Sequence, residues 1–314
     1  MIDNTSLDRT PNKLKILHIG AEVAPFSTVG GLSRVVSYLS GALARKGHEV
    51  RVFMPKFSTI DETKYPLELV YKGLKVKTGV DDTDSKHKKY LTCNVKRLVT
   101  ENNVHVYFLE NMEYYEKRSN VYAYSDDCVR WNLLSQGALA YIQKQKDWCP
   151  DVIHVHDWHT ALVPNIIKQD YSKNKYFDDV ATVLSIHNIN FQGQAVDSSS
   201  DLAFDDGKSK IPSFYSKRLR SLNFLKRGII YADVVNTVSE GYAREILTKE
   251  YGAGLDNLLL EVRSKLFGVI NGIETDKINP NTDEILKAQY GIDSLELRSE
   301  NKLKLKRIWI ERRS

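Results

Sequence analysis

Residues 14–36 read Leu14-Lys-Ile-Leu-His-Ile-Gly-Ala-Glu-Val-Ala-Pro-Phe-Ser-Thr-Val-Gly-Gly-Leu-Ser-Arg-Val-Val36. The apolar run over 14–20 has the composition of a buried parallel strand. It feeds a loop that ends in Gly30-Gly31, where a helical pattern begins: Leu32, Val35, Val36, Leu39 and Leu43 recur at helical spacing over about 31–46. Gly47 follows as a C′ residue, and Glu49 to Met54 forms the next strand. A strand, a glycine pair, a helix and a second strand make a βαβ unit. Its glycines let an oxygen-rich ligand approach the backbone N–H groups at a helix start. Gly-x-Gly-x-x-Gly cannot be laid on this loop, so the dinucleotide fingerprint is missing and a nicotinamide dehydrogenase ranks last.

The same alternation resumes later in the chain. The pattern predicts strands over 67–79, 90–99 and 104–109, an antiparallel insertion whose acidic run 81–84 belongs to a solvated turn. A helix is expected over 127–146, a strand over 151–156, and a helix from about 160 with Pro164 in its first turn. A strand over 180–186 precedes the polar segment 192–216. A helix over 217–230, a strand over 233–238, a helix capped by Ser239 and reaching Lys249, and a last strand over 266–270 follow. Alternating strands and helices imply a doubly wound, Rossmann-like parallel sheet, α/β in class, with a β-hairpin insertion. Ligands of such sheets bind beyond the carboxyl ends of the strands.

Size and composition narrow the function. The chain has 314 residues, 27% of them charged, with a formal net charge of +5. The excess is mild and falls largely in 302–313, so no basic face for nucleic acid is expected. Cys93, Cys128 and Cys149 lie far apart, which suggests a reducing compartment and no zinc site. No apolar run has the length of a membrane span, and 1–13 is a polar tail without a signal core. A cytoplasmic location is expected.

The polar residues that stand at strand ends are the candidate site. In His154-Val-His-Asp-Trp-His159, Asp157 caps a helix and can accept sugar hydroxyls, Trp158 offers an apolar face to a pyranose, and His159 starts the helix. We read the strand as turning His154 away from His156, which leaves His154 a core histidine and argues against metal. In Ser185-Ile-His-Asn-Ile-Asn190, His187 and Asn188 can bind hydroxyls, against the plainer reading of a structural histidine. Gly268-Val-Ile-Asn-Gly-Ile273 ends in Asn271-Gly272, by itself a turn signal. The pairs Asp126-Asp127, Asp178-Asp179 and Asp205-Asp206 fit caps and solvated turns. No Ser-His-Asp or Cys-His arrangement can be placed.

Taken in order, these segments resemble the bacterial glycogen synthase and plant starch synthase family. The resemblance rests on Ala21-Glu-Val-Ala-Pro-Phe26, Gly30-Gly-Leu32, Gly47-His-Glu-Val-Arg-Val-Phe-Met-Pro55 and Tyr124-Ser-Asp-Asp-Cys-Val-Arg-Trp131. It continues through His156-Asp-Trp-His159, Ile186-His-Asn-Ile-Asn-Phe-Gln-Gly193, Thr237-Val-Ser239, Tyr251-Gly-Ala-Gly-Leu-Asp256 and Val269-Ile-Asn-Gly-Ile273. It runs from about Lys15 to Lys306.

The resemblance implies an enzyme that transfers glucose from ADP-glucose to an α-1,4-glucan with retention, without metal or cofactor. It implies the N-terminal half of the two-domain GT-B arrangement. Domain 14–278 would be that half, and 279–314 a linker or truncated tail. The second domain would be absent or separately encoded, and the chain alone nearly inactive. His187 and Asp157 would be catalytic. Glu22, Thr28, Gly30, Gly31, His159, Asn188 and Asn271 would bind substrate, with Gly30-Gly31 near the donor phosphates and Asn271 facing the cleft.

Two positions depart from the family. Thr28 stands where a lysine is usual, and Arg34 where an acid is usual, so Arg34 would be a replacement source of positive charge. Two alternatives stay open: a non-enzymatic glucan- or partner-binding half, and a related retaining glycosyltransferase using another sugar nucleotide.

Overall fold

A computed structural model describes residues 13–194, 205–276 and 278–311. Strands β1 (Lys15–Ile19), β2 (Glu49–Pro55), β3 (Glu68–Lys77), β4 (Tyr90–Val99), β5 (His105–Glu110), β6 (Val152–His156), β7 (Ala181–Ile186), β8 (Val234–Thr237) and β9 (Leu266–Gly268) form one sheet. Their order is β3-β4-β5-β2-β1-β6-β7-β8-β9. From β5 to β9 every pairing is parallel; β3 and β4 join antiparallel at one edge. The expected hairpin insertion is therefore an extension of the main sheet. Asp81 and Asp84 serve its exposed turn by accepting nearby backbone N–H groups.

The first helix, α1 (Gly31–Arg45), matches its pattern, and Gly47 takes the positive φ of 95° that ends it. The helix α2 (Asp127–Ile142) stops short of the expected 146. The Tyr176 hydroxyl lies 2.9 Å from both the Ile142 and the Trp148 carbonyl oxygens, beside the end of this helix. After β6 the helix begins at once as α3 (Asp157–Thr160), earlier than expected, and restarts as α4 (Leu162–Gln169) with Pro164 in its first turn.

The expected helix over 217–230 is two pieces, because Asn223 caps a fresh start. Its side chain accepts the Lys226 N–H at 2.8 Å and opens α5 (Phe224–Tyr231). Ser239 caps α6 (Glu240–Glu245) as read, although that helix is shorter than expected. The helix α7 (Asp256–Glu261) was not foreseen. Part of the polar segment 192–216 lies outside the described residues.

The core is continuous across the sheet, from Phe53, Phe108 and Trp131 to Leu184, Phe224 and Leu259. One acidic pair departs from its reading. Asp206 serves a turn, but Asp205 is buried against Arg227 through two hydrogen bonds of 2.7 and 3.0 Å.

Two compact units divide at Asn271. The sheet belongs to the first. The second contains α8 (Arg298–Glu311). Among the described residues no helix is long and apolar enough to cross a membrane.

Candidate active site

A cavity of about 770 Å³ opens beyond the carboxyl ends of β1, β6, β7 and β8 in the first unit. Eight of the nine expected site residues line it: Glu22, Gly30, Gly31, Asp157, His159, His187, Asn188 and Asn271. Thr28 is exposed and is not part of the wall, and Arg34 on α1 also faces solvent outside it.

Each wall residue has a local cause. Glu22 lies two residues past Gly20 and is buried under the glycine loop. Its carboxylate accepts the Val29 N–H at 2.5 Å and the Gly30 N–H at 3.1 Å. The Gly30 N–H is thus spent on Glu22 and is not free for a ligand. A Cβ on Gly30 would come within 3.3 Å of the Glu22 carboxylate, whereas one on Gly31 would meet nothing within 4 Å. Gly30 makes room for the brace; Gly31 opens the wall. No side-chain cap hydrogen bond is made at the start of α1, and Gly31 and Leu32 at that end line the cavity.

Asp157 follows β6 directly, with a left-handed φ of 52°. Its Oδ1 accepts the backbone N–H of His187 at 2.7 Å and of Asn188 at 3.2 Å. Burial raises its pKa to about 7; the two N–H groups oppose the rise and the neighbouring Glu22 charge adds to it. Its carboxyl therefore titrates near neutrality. Ala123 on the same wall also has a left-handed φ, of 73°. Two non-glycine residues in that conformation on one wall mark backbone held against its preference by its surroundings.

His187 lies one residue past β7. Burial lowers its pKa to about 4, so it is neutral at physiological pH. His159 is lowered to about 3 by burial and then by Arg130 and His187. Its ring sits among Tyr122, Trp131 and Trp158, with centroids 4.9, 5.1 and 4.4 Å away.

Trp158 lines the cavity as well. Its ring is covered by Gly193, where a Cβ would lie 2.3 Å from Cε3.

Tyr122, Ala123 and Asp127 form a wall that the sequence reading missed. Asp127 accepts the Ala123 N–H at 3.0 Å and pairs with the fully buried Arg130, which also donates to the Tyr114 and Val121 carbonyls. The signal was present in Asp126-Asp-Cys-Val-Arg130. An acid and an arginine three apart at a helix start can clamp the loop before it.

The reading of His154 is corrected. Residues two apart on a strand share a face, and His154 and His156 stack with centroids 4.3 Å apart. His18 on β1, paired in register with His154, joins them. Ring nitrogens of His18, His154 and His156 lie within 4.8 Å of one another. The rings stack rather than converge, and His156 has both nitrogens engaged with other histidines.

A family model described as the starch synthase catalytic domain matches residues 15–261. The chain belongs to the starch synthase catalytic domain family. Curated glycogen synthases of Streptococcus pneumoniae, from strain G54 of serotype 19F and from strain R6, are each 36% identical over 292 residues. The alignment covers 93% of this chain and 59% of each relative, so the chain spans about three fifths of their length. Among solved structures, the catalytic domain of starch synthase IV from Arabidopsis thaliana, bound to ADP and acarbose, superposes with a TM-score of 0.76. It is 30% identical, over 94% of this chain and 59% of that one. The expected fold, a mostly parallel α/β sheet of the GT-B type, agrees with this starch synthase neighbour.

Proposed function

We propose that this chain supplies the N-terminal half of an ADP-glucose-dependent glucosyltransferase, which extends an α-1,4-glucan with retention of configuration. The observation that carries the reading is the gathering of eight expected residues around one cavity in a chain of this family. The ADP and acarbose of the Arabidopsis neighbour support the same substrate classes.

The geometry suits the chemistry. The diphosphate would meet the uncapped N-terminus of α1 at Gly31 and Leu32, where backbone N–H groups and the helix dipole favour negative charge. The glucosyl ring would lie against Asp157, His187 and Asn188. Transfer passes through an oxocarbenium-like state, which these hydrogen-bonding groups can hold in line for the acceptor oxygen. Glu22, Asp157 and Asp127 are committed to backbone N–H groups or to Arg130, so the proposal assigns no metal ion to them.

The domain boundary near 278 and a cytoplasmic setting belong to the same proposal. The three cysteines are free thiols, in keeping with a reducing compartment.

Titration calorimetry with ADP-glucose, UDP-glucose and GDP-glucose tests the donor. Saturable heat with ADP-glucose alone is expected. Binding of maltooligosaccharides with no response to any sugar nucleotide would overturn the reading in favour of a glucan-binding module.

A further inference from the structure

Three histidines form a hydrogen-bonded line from the sheet interior to the cavity. His18 Nδ1 lies 3.2 Å from His156 Nε2, and His156 Nδ1 lies 3.1 Å from His187 Nε2. His18 and His156 are wholly buried. Burial keeps every member neutral: His18 falls to about 4, His187 to about 4, and His156 lies well below the usual range. A neutral imidazole has one N–H and one lone pair. The middle ring cannot donate to both neighbours or accept from both. The line therefore has one direction, and all three protons run the same way.

The inner end decides which way. His18 Nε2 is buried with no hydrogen-bond partner. His154, stacked beside it, is committed elsewhere. Ser185 Oγ gives its proton to Asn236 Oδ1 at 2.6 Å, so it accepts from His154 Nε2–H at 2.7 Å. If the line ran inward, a buried N–H would be left unsatisfied at His18 Nε2. If it runs outward, only a bare lone pair is left there. In folded proteins an orphaned buried N–H is in general rarer than an under-satisfied acceptor. The line runs outward.

We propose that His18 and His156 are positioning residues that fix His187 as its Nδ1–H tautomer, so that His187 presents an N–H donor to an oxygen acceptor in the cavity. Each of the first two rings donates through Nδ1, which leaves His187 Nε2 as acceptor and Nδ1–H as the nitrogen available to a ligand. On the glucosyltransferase reading, on which the identity of that acceptor rests, it is a hydroxyl oxygen of the transferred sugar. His18, His156 and His187 sit on or just past β1, β6 and β7, which are adjacent in the sheet.

Long-range proton–nitrogen correlation spectra of the ¹⁵N-histidine-labelled 314-residue chain test this directly, because the two neutral tautomers have distinct nitrogen shifts. The expected pattern is Nδ1–H at His18, His156 and His187, with Nε2–H at His154. Nε2–H at His187 overturns the proposal. His18→Leu removes the first donor and is expected to leave His187 a mixture of tautomers. His18→Asn places an amide N–H near the lost Nδ1 and is expected to restore one form.

A His187 that keeps a single Nδ1–H form in His18→Leu also overturns the proposal, since a merely structural His18 would leave that signature unmoved. If His18→Leu does not fold, the wild-type and His18→Asn spectra decide. Titration with ADP-glucose separates the two readings. The expected tautomers with an unperturbed His187 resonance would support the relay and count against the glucosyl site.

Discussion

The Asp157 carboxylate holds the His187 backbone N–H at 2.7 Å, and through it the end of β6 fixes the end of β7. The same Oδ1 takes the Asn188 N–H at 3.2 Å. A buried acid that could cost stability becomes the tie between two cavity-lining strand ends. Asp157→Ala would leave both N–H groups without their acceptor. A loss of about 1–3 kcal/mol is expected in urea unfolding. Asp157→Asn keeps an acceptor oxygen and should retain most of that stability.

The same pair sets a pH dependence. The folded carboxyl titrates at about 7, well above its usual 3.8. Between those values the folded state binds more protons than the unfolded state. This group's contribution to stability therefore falls as pH rises from about 4 to about 7, and is level above and below. Asp157→Asn cannot titrate, so its melting temperature relative to wild type should climb from pH 5 to pH 8. A difference that stays flat across that range would show that Asp157 is ionised in the fold throughout.

How far the site could be read from the sequence follows from this sheet. Glu22, Asp157, His187, Asn188 and Asn271 stand within a few residues of strand ends, and a parallel sheet brings such ends together whatever the intervening loops do. Thr28 on the exposed loop and Arg34 on the exposed side of α1 lie outside the cavity, because a family analogy places residue types and not the direction a side chain takes. The histidine line was illegible for a different reason. It depends on the register that sets His18 beside His154, a cross-strand fact, and on the shared face of His154 and His156, which was misread. Tyr122 sits beside the Val121 carbonyl that Arg130 holds; the Asp127–Arg130 spacing signals such a clamp but does not say which loop residues it brings to the cavity.

The two glycines of the opening loop should separate experimentally. Gly31 begins α1, and a methyl group there meets nothing within 4 Å. Gly31→Ala should leave the melting temperature unchanged or slightly raised, since alanine is favoured over glycine in a helix by up to about 1 kcal/mol. Gly31 lines the cavity, so ADP-glucose affinity is expected to fall. Gly30→Ala instead crowds the Glu22 carboxylate at 3.3 Å and should lower stability first. Paired thermal melts and calorimetric titrations of both variants check the contrast. Equal stability losses in the two would refute it.

Gly193 carries the floor of Trp158. Its φ is 81°, a region that a side chain enters at a cost of about 1–2 kcal/mol, and its Cβ would lie 2.3 Å from the indole. Gly193→Ala must displace Trp158 or the loop after Phe191. Overpacking adds about 1–3 kcal/mol. The expected outcome is a lower urea midpoint together with a changed tryptophan emission maximum. Unchanged emission would mean that the loop moves and the indole does not.

Arg227 and Asp205 show what a buried ion pair does away from the cavity. Both side chains are essentially inaccessible, and each is satisfied beyond the pair. Arg227 donates also to Asn165 Oδ1 and the Ser209 carbonyl, and Asp205 accepts the Gly207 and Asn223 N–H groups. The pair therefore fastens 205–209 to the start of α5. Asp205→Asn leaves a buried guanidinium without its counter-charge, and a loss of about 3–5 kcal/mol is expected in urea unfolding. The double variant Asp205→Leu with Arg227→Met removes both charges but strands the Gly207 and Asn223 N–H groups. It should recover part of that loss and not all of it. Full recovery would show that the backbone of 205–209 finds other partners, and no recovery would show that the hydrogen bonds outweigh the charge.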